Sequence, residues 1–137
     1  MKKFKFLLKL ILLFFLLSCS RNQDFFVPTT IDNFRLTDHL GNSHELFYYD
    51  DADVIAIMVH GNGCPIVQNS LLDFLELQQK FKTNNIKLFF INSNLQDTRE
   101  SIAKNANEWE IDVPILVDDD QLIGRSLNLT RTAEILI

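Results

Sequence analysis

Both cysteines of this chain sit in settings with chemical meaning: Cys64 in the step Gly61-Asn62-Gly63-Cys64-Pro65, and Cys19 in Leu16-Leu17-Ser18-Cys19. Cys64 lies between a strand-like apolar run, Val54 to Val59, and a long helical pattern. A strand that turns through glycines into a helix at Cys64 sets the sulfur beside the unpaired first-turn N–H groups, where thiolate is favoured over thiol. Pro65 suits the first helical position, because its missing N–H has no intrahelical partner to lose. A lone cysteine also serves as a small core hydrophobe. The position of Cys64 favours the reactive reading.

Cys19 carries a different chemistry. Met1 to Lys9 is cationic and Leu10 to Leu17 is an unbroken apolar stretch, so residues 1–18 read as an export signal. The run falls well short of the roughly 20 apolar residues of a spanning helix. Leu16-Leu17-Ser18-Cys19 resembles the bacterial lipoprotein processing box, which implies cleavage before Cys19 and a thioether-linked diacylglycerol on its sulfur. Residues 19–30 then form a tether, and residues 31–137 the domain. Two acyl chains at one site satisfy the double signal that stable anchoring needs. The expected location is the cell envelope, on the extracytoplasmic side of a membrane. Ser20 in place of Asp favours outer-membrane sorting in a Gram-negative host. The other reading is an ordinary signal peptide; mass spectrometry of the mature N-terminus separates the two, an unmodified Cys19 excluding lipidation.

Four of the 13 Lys and Arg, and none of the 18 Asp and Glu, fall in the first eighteen residues, which leaves nine against eighteen and a net charge of −9. No basic cluster survives cleavage, which argues against nucleic acid as a partner. With Cys19 lipidated, Cys64 is the only free thiol, and an intramolecular disulfide is excluded. At 137 residues and 47% hydrophobic, the chain supports one domain.

The elements that must position Cys64 follow from periodicity. Ile31 to Leu36 and Ser43 to Tyr48 read as a hairpin across the turn residues 38–42. Val54 to Val59 is a strand buried on both faces. From Pro65 to Phe81, Val67, Leu71, Phe74, Leu75 and Phe81 fall at helical spacing. Lys87 to Asn92 is a strand. Asp97 with Glu100 predicts a capping arrangement that opens a helix carrying Ile102, Ala106 and Trp109. Val113 to Val117, Asp119 to Leu127 and Ala133 to Ile137 then read as strand, helix and strand. The fold class is α/β: a mostly parallel sheet with helices on both faces, right-handed crossovers and an N-terminal hairpin.

With these elements in order, residues 31 onward resemble thioredoxin-fold proteins of the peroxiredoxin and redoxin group, the alkyl hydroperoxide reductase and thiol-specific antioxidant family. The carriers are Asn33-Phe34-Arg35-Leu36-Thr37-Asp38, Gly63-Cys64-Pro65, Ile91-Asn92-Ser93-Asn94, Val113-Pro114-Ile115-Leu116-Val117-Asp118 and Thr130-Arg131-Thr132-Ala133-Glu134. The resemblance implies that Cys64 is a nucleophile toward peroxide or a disulfide, with Asn62, Gly63 and Pro65 on the substrate side and Arg131 as a thiolate-stabilising helper. It needs no cofactor and no metal. The chain departs from the pattern at four places. Val67 stands where a dithiol motif has its second cysteine, and Gly61 where typical peroxiredoxins carry Thr or Ser. Thr132-Ala133 replaces the usual cis-proline step. The sequence stops at Ile137, inside an apolar strand, where the family continues through a further strand and helix. Marginal stability is therefore expected for residues 19–137, and a cooperative melt of the monomer refutes it.

These observations predict a membrane-tethered, one-cysteine peroxidase whose sulfenic acid is reduced by an external thiol. Two other readings stay open: a thioredoxin-fold binding module or gene fragment without turnover, and a monothiol disulfide exchanger. His60 with a single cysteine is a poor metal site. His39 and His44 read as surface residues, Trp109 as core, and Asp118-Asp119-Asp120 as a strand end plus a helix N-terminus.

Overall fold

A computed structural model describes residues 30–81 and 83–137. The expected export signal, Cys19 and all of the expected tether except Thr30 lie outside the described residues. Six strands form one sheet: β1 Arg35–Asp38, β2 Ser43–Glu45, β3 Val54–Val59, β4 Ile86–Asn92, β5 Ile115–Val117 and β6 Ile135–Leu136. Three helices connect them: α1 Pro65–Lys80, α2 Arg99–Glu108 and α3 Leu122–Ser126. The spatial order is β2-β1-β5-β4-β3-β6. The central three strands, β3, β4 and β5, are parallel, whereas β1, β2 and β6 join antiparallel.

The apolar runs become strands packed on both faces. Ala56 and Met58 of β3 and Leu88 and Phe90 of β4 turn toward α1 and α2, where Val67, Leu71, Phe74, Ile102 and Ala106 meet them. Ile57, Val59, Phe89 and Ile91 turn the other way, against Phe34, Leu116 and Leu127. The alternation is the two-residue period of a strand, and because both faces are covered, no polar residue interrupts it. Val67, Leu71 and Phe74 recur at the spacing of one helical face, which is why α1 lies on the sheet with Cys64 at its leading end. Phe74 meets Phe90 edge to face at 5.1 Å between ring centroids.

Four local expectations are corrected. The second hairpin arm leaves extended geometry after Glu45, and Leu46–Tyr49 is a short 3-10 turn. The N-cap of α2 is Thr98, whose hydroxyl accepts from the Ser101 N–H at 3.2 Å, so Asp97 is free for another task. His39 is buried, its Nδ1 accepting from the Ile115 N–H at 3.2 Å. His44 is largely shielded and bridges Asp38 Oδ2 at 2.8 Å and Tyr49 Oη at 2.7 Å. Burial tends to raise the Asp38 pKa, but hydrogen bonds from His44, Asn42 and Leu40 outweigh it, and the carboxyl sits below its ordinary value. The run at 118–120 behaves as expected: Asp118 is fully buried and accepts from the N–H groups of Ile123 at 3.1 Å and Gly124 at 2.7 Å.

Gly124 is required by close approach rather than by backbone conformation. A Cβ there meets Ser93 Oγ at 2.6 Å and Asp118 Oδ2 at 3.1 Å. Those two atoms are themselves bonded at 2.6 Å and have little room to yield. Gly124→Ala is expected to cost about 1–3 kcal/mol, as overpacking does, read from the midpoint shift in urea. An unshifted midpoint contradicts the packing described.

Candidate active site

The turn that delivers Cys64 is closed by its own backbone. Cys64 N–H donates to the Gly61 carbonyl at 3.1 Å, and Gly63 adopts φ +67°, a conformation open to glycine at little cost. Cys64 is the N-cap of α1 with extended backbone angles, and its carbonyl accepts the first helical bond from Gln68 at 3.0 Å. Pro65 occupies the first helical position. The sulfur is half-buried.

The partner of the sulfur comes from 68 residues away: Thr132 Oγ1 lies 3.2 Å from Cys64 Sγ. Three features place it there. Ala133 takes φ +62°, a strained conformation for a residue with a Cβ. Its N–H donates to the Val59 carbonyl at 2.7 Å, while Val59 N–H donates to the Glu134 carbonyl at 2.8 Å, so the strained turn is clamped to the end of β3. Gly61 leaves the space: a Cβ on it stands 3.0 Å from Thr132 Cγ2. With no side chain at Gly61, the hydroxyl beside the sulfur comes from Thr132 across the site.

These contacts act on the thiol. The Thr132 hydroxyl lowers the Cys64 pKa most, followed by the Val67 N–H; burial opposes them, and the Ile66 N–H adds the smallest lowering effect. Both N–H groups belong to the first turn of the helix, so its N-terminus favours the charged form of the sulfur. Thr132→Val is expected to move the Cys64 thiol upward, toward an unperturbed cysteine. The pH dependence of iodoacetamide alkylation reads this, and an unchanged midpoint assigns the shift to the helix alone.

Behind the turn is a polar network that the sequence did not reveal. Asp97 Oδ2 accepts from the Asn62 N–H at 3.1 Å, Asn92 Nδ2 at 2.9 Å and Asn94 Nδ2 at 3.1 Å. Asn62 Nδ2 donates to Ser101 Oγ at 2.9 Å, so its side chain anchors the turn to α2 instead of facing the sulfur. Asn92 Nδ2 also donates to His60 Nδ1 at 3.1 Å, which leaves the ring proton on Nε2. His60 is buried, and desolvation lowers its pKa to about 4 against the pull of Asp97 and Asn105. It is neutral at physiological pH.

Of the residues singled out from sequence, Gly63, Cys64 and Pro65 meet at one point, and Asn62 braces them from behind. Arg131 lies next to Thr132, but its guanidinium makes no hydrogen bond or ion pair with any described residue. Thr132 was given no role in the site, and Asp97 only that of a helix cap. The signal for Thr132 was the pairing of a missing side chain at Gly61 with a hydroxyl in the 130–134 segment.

No curated protein matches the chain. Among solved structures it resembles an uncharacterized conserved protein from Geobacillus kaustophilus (24% identity, TM-score 0.70), covering 82% of this chain and 63% of that one. It also resembles peroxidoxin BcpB from Mycobacterium tuberculosis (18%, TM-score 0.66), covering 80% and 71% respectively. The thioredoxin domain of a thiol-disulfide oxidoreductase from Bacteroides vulgatus matches at 14% identity and TM-score 0.66, covering 82% and 81%. The chain thus spans less than two thirds of the first of these, and at such identities the likeness establishes the thioredoxin-like fold. The family model of AhpC/TSA matches residues 27–136, nearly the whole domain with Cys64 inside it. This chain belongs to the AhpC/TSA family.

Proposed function

We propose that the protein is a thiol-dependent peroxidase in which Cys64 is the nucleophile, tethered to a membrane through lipid on Cys19. The observation that carries this reading is the half-buried Cys64 sulfur at the α1 N-terminus, 3.2 Å from the Thr132 hydroxyl and with its pKa lowered. The Cys64 thiolate attacks the distal oxygen of a hydroperoxide. An S–O bond forms, the O–O bond breaks, and the alkoxide leaves to take a proton from solvent. The sulfur is oxidised to sulfenic acid and the peroxide reduced to an alcohol, or to water from hydrogen peroxide. Thr132 donates to the thiolate before attack, and the N–H groups of Ile66 and Val67 face the charge as it moves.

Cys64 is the only cysteine besides Cys19, so resolution falls to an external thiol. One thiol displaces water from the sulfenic acid to give a mixed disulfide, and a second releases Cys64 thiol and an external disulfide. The anchor rests on the Leu16-Leu17-Ser18-Cys19 box, and no helix among the described residues is long and apolar enough to cross a membrane.

One equivalent of hydrogen peroxide followed by a dimedone-type probe tests the reading. The expected result is a single adduct on Cys64 and continued peroxide consumption when dithiothreitol is supplied. Mixed disulfides with disulfide substrates, without any sulfenic adduct, overturn it in favour of a disulfide exchanger.

A further inference from the structure

We infer that the cavity on the far side of Thr132 from Cys64 binds the carboxylate of a small reactant of Cys64; this rests on the reading of Cys64 as nucleophile given above. The cavity is about 510 Å³ and lies past the carboxyl ends of the parallel strands β3 and β4. That end of a parallel sheet is where α/β folds hold ligands. Its size suits a small organic molecule. Hydrogen peroxide alone needs little of it.

The charge of the lining is the telling feature. The chain carries a net charge of −5, yet no acidic side chain lines this cavity, while Arg125 and Arg131 both do. Arg125 is fixed by main-chain oxygens, its Nε donating to the Gln121 carbonyl at 3.1 Å and an Nη to the Asp120 carbonyl at 2.8 Å. Carbonyls orient the guanidinium without neutralising it. Arg131 donates its backbone N–H to Glu134 Oε2 at 3.3 Å, but its guanidinium pairs with no described residue. Two uncompensated guanidinium groups on one concave surface form an anion receptor, and the planar fork of arginine matches a carboxylate.

The walls are rigid and adjoin the nucleophile. Ser93 Oγ donates to Asp118 Oδ2 at 2.6 Å and Gln121 Nε2 donates to the Ser93 carbonyl at 2.7 Å, so the floor is set before a ligand arrives. Thr132 lines the cavity and holds the Cys64 sulfur. A molecule with its carboxylate on Arg131 therefore adjoins Thr132, the residue whose hydroxyl contacts the sulfur. The same chemistry fits two reactants: an organic hydroperoxide that oxidises Cys64, or a thiol that reduces its sulfenic acid.

Matched pairs test this with the full chain. One arm measures the rate of Cys64 oxidation by a carboxylate-bearing alkyl hydroperoxide and by its methyl ester. The other measures reduction of the sulfenic acid by 3-mercaptopropionate and by its methyl ester. The readout is the acid-to-ester rate ratio in wild type divided by that ratio in Arg131→Gln, which cancels intrinsic reactivity and any general effect of the substitution on the thiolate. In one arm the quotient is expected to be about fivefold, the scale of a partly exposed charge pair, and to fall toward one at high salt. The arm that responds identifies the reactant. A quotient of one in both arms overturns the inference while leaving the nucleophile reading intact. If hydrogen peroxide itself fails to oxidise Cys64, the underlying reading falls and the inference with it.

Discussion

Serine in place of Cys64 is expected to abolish peroxide reduction and sulfenic-acid labelling entirely, with the fold retained. The thiol ionises below the ordinary cysteine range because the Thr132 hydroxyl and the N–H groups of Val67 and Ile66 favour its charged form. The same surroundings cannot bring an aliphatic hydroxyl into that range, and serine oxygen is a weak nucleophile without a base beside it. His60, four residues upstream, is no such base: its ring is buried and bound to Asn92 on one side, and among the described residues the side chain in hydrogen-bond contact with Sγ is that of Thr132. Stability is expected to hold or rise by about 0.5–1 kcal/mol, since serine is among the favoured N-cap residues and Cys64 makes no side-chain cap bond. Peroxide consumption and a thermal melt on the same preparation check both halves. Retained turnover in a folded Cys64→Ser protein contradicts the assignment.

The second large effect concerns acid. His60 titrates at about 4 in the folded protein against an ordinary value of 6.5, because burial penalises its charged form. In the unfolded chain it takes up a proton as pH falls below 6.5, while in the folded chain it resists until about 4. The unfolded state therefore binds more protons in this window. The stabilisation is full above 6.5 and lost as pH falls toward 4, on the order of 3 kcal/mol in all. Asp38, also held below its ordinary value of 3.8, adds a loss of the same sign at lower pH, outside this window. Urea unfolding between pH 7.5 and 4.5 should show the decline, and His60→Gln should reduce its slope to the part left by His39, whose pKa burial also lowers. An equal slope in the variant rules out His60 as its source.

The elements that hold Cys64 were legible because each rests on local sequence. An unbroken run of branched apolar residues specifies β3, and Val67, Leu71 and Phe74 specify the face of α1 that docks on it. Pro65 specifies where that helix begins. The misread side chains share one cause: a partner that the local pattern does not reveal. His39 and His44 look like turn residues, but Ile115, Asp38 and Tyr49 satisfy their nitrogens and allow burial. Asp97 has the spacing of a capping box, yet Asn62, 35 positions away, takes its carboxylate, and Thr98 caps the helix instead. Thr132 belongs to the same class, since only the folded chain brings it to Gly61 and Cys64. Chemistry carried by one residue and its turn can be read along the chain; chemistry tuned by a contact across the sheet needs the structure.

The claim on which the rest depends is that its surroundings hold the Cys64 thiol below the ordinary cysteine range. Thiolate absorbance near 240 nm, followed across pH in the native protein and referenced to Cys64→Ser, measures it directly. The account predicts one titration with a midpoint below that of an unperturbed cysteine. A midpoint at or above that value, with Thr132 intact, contradicts it.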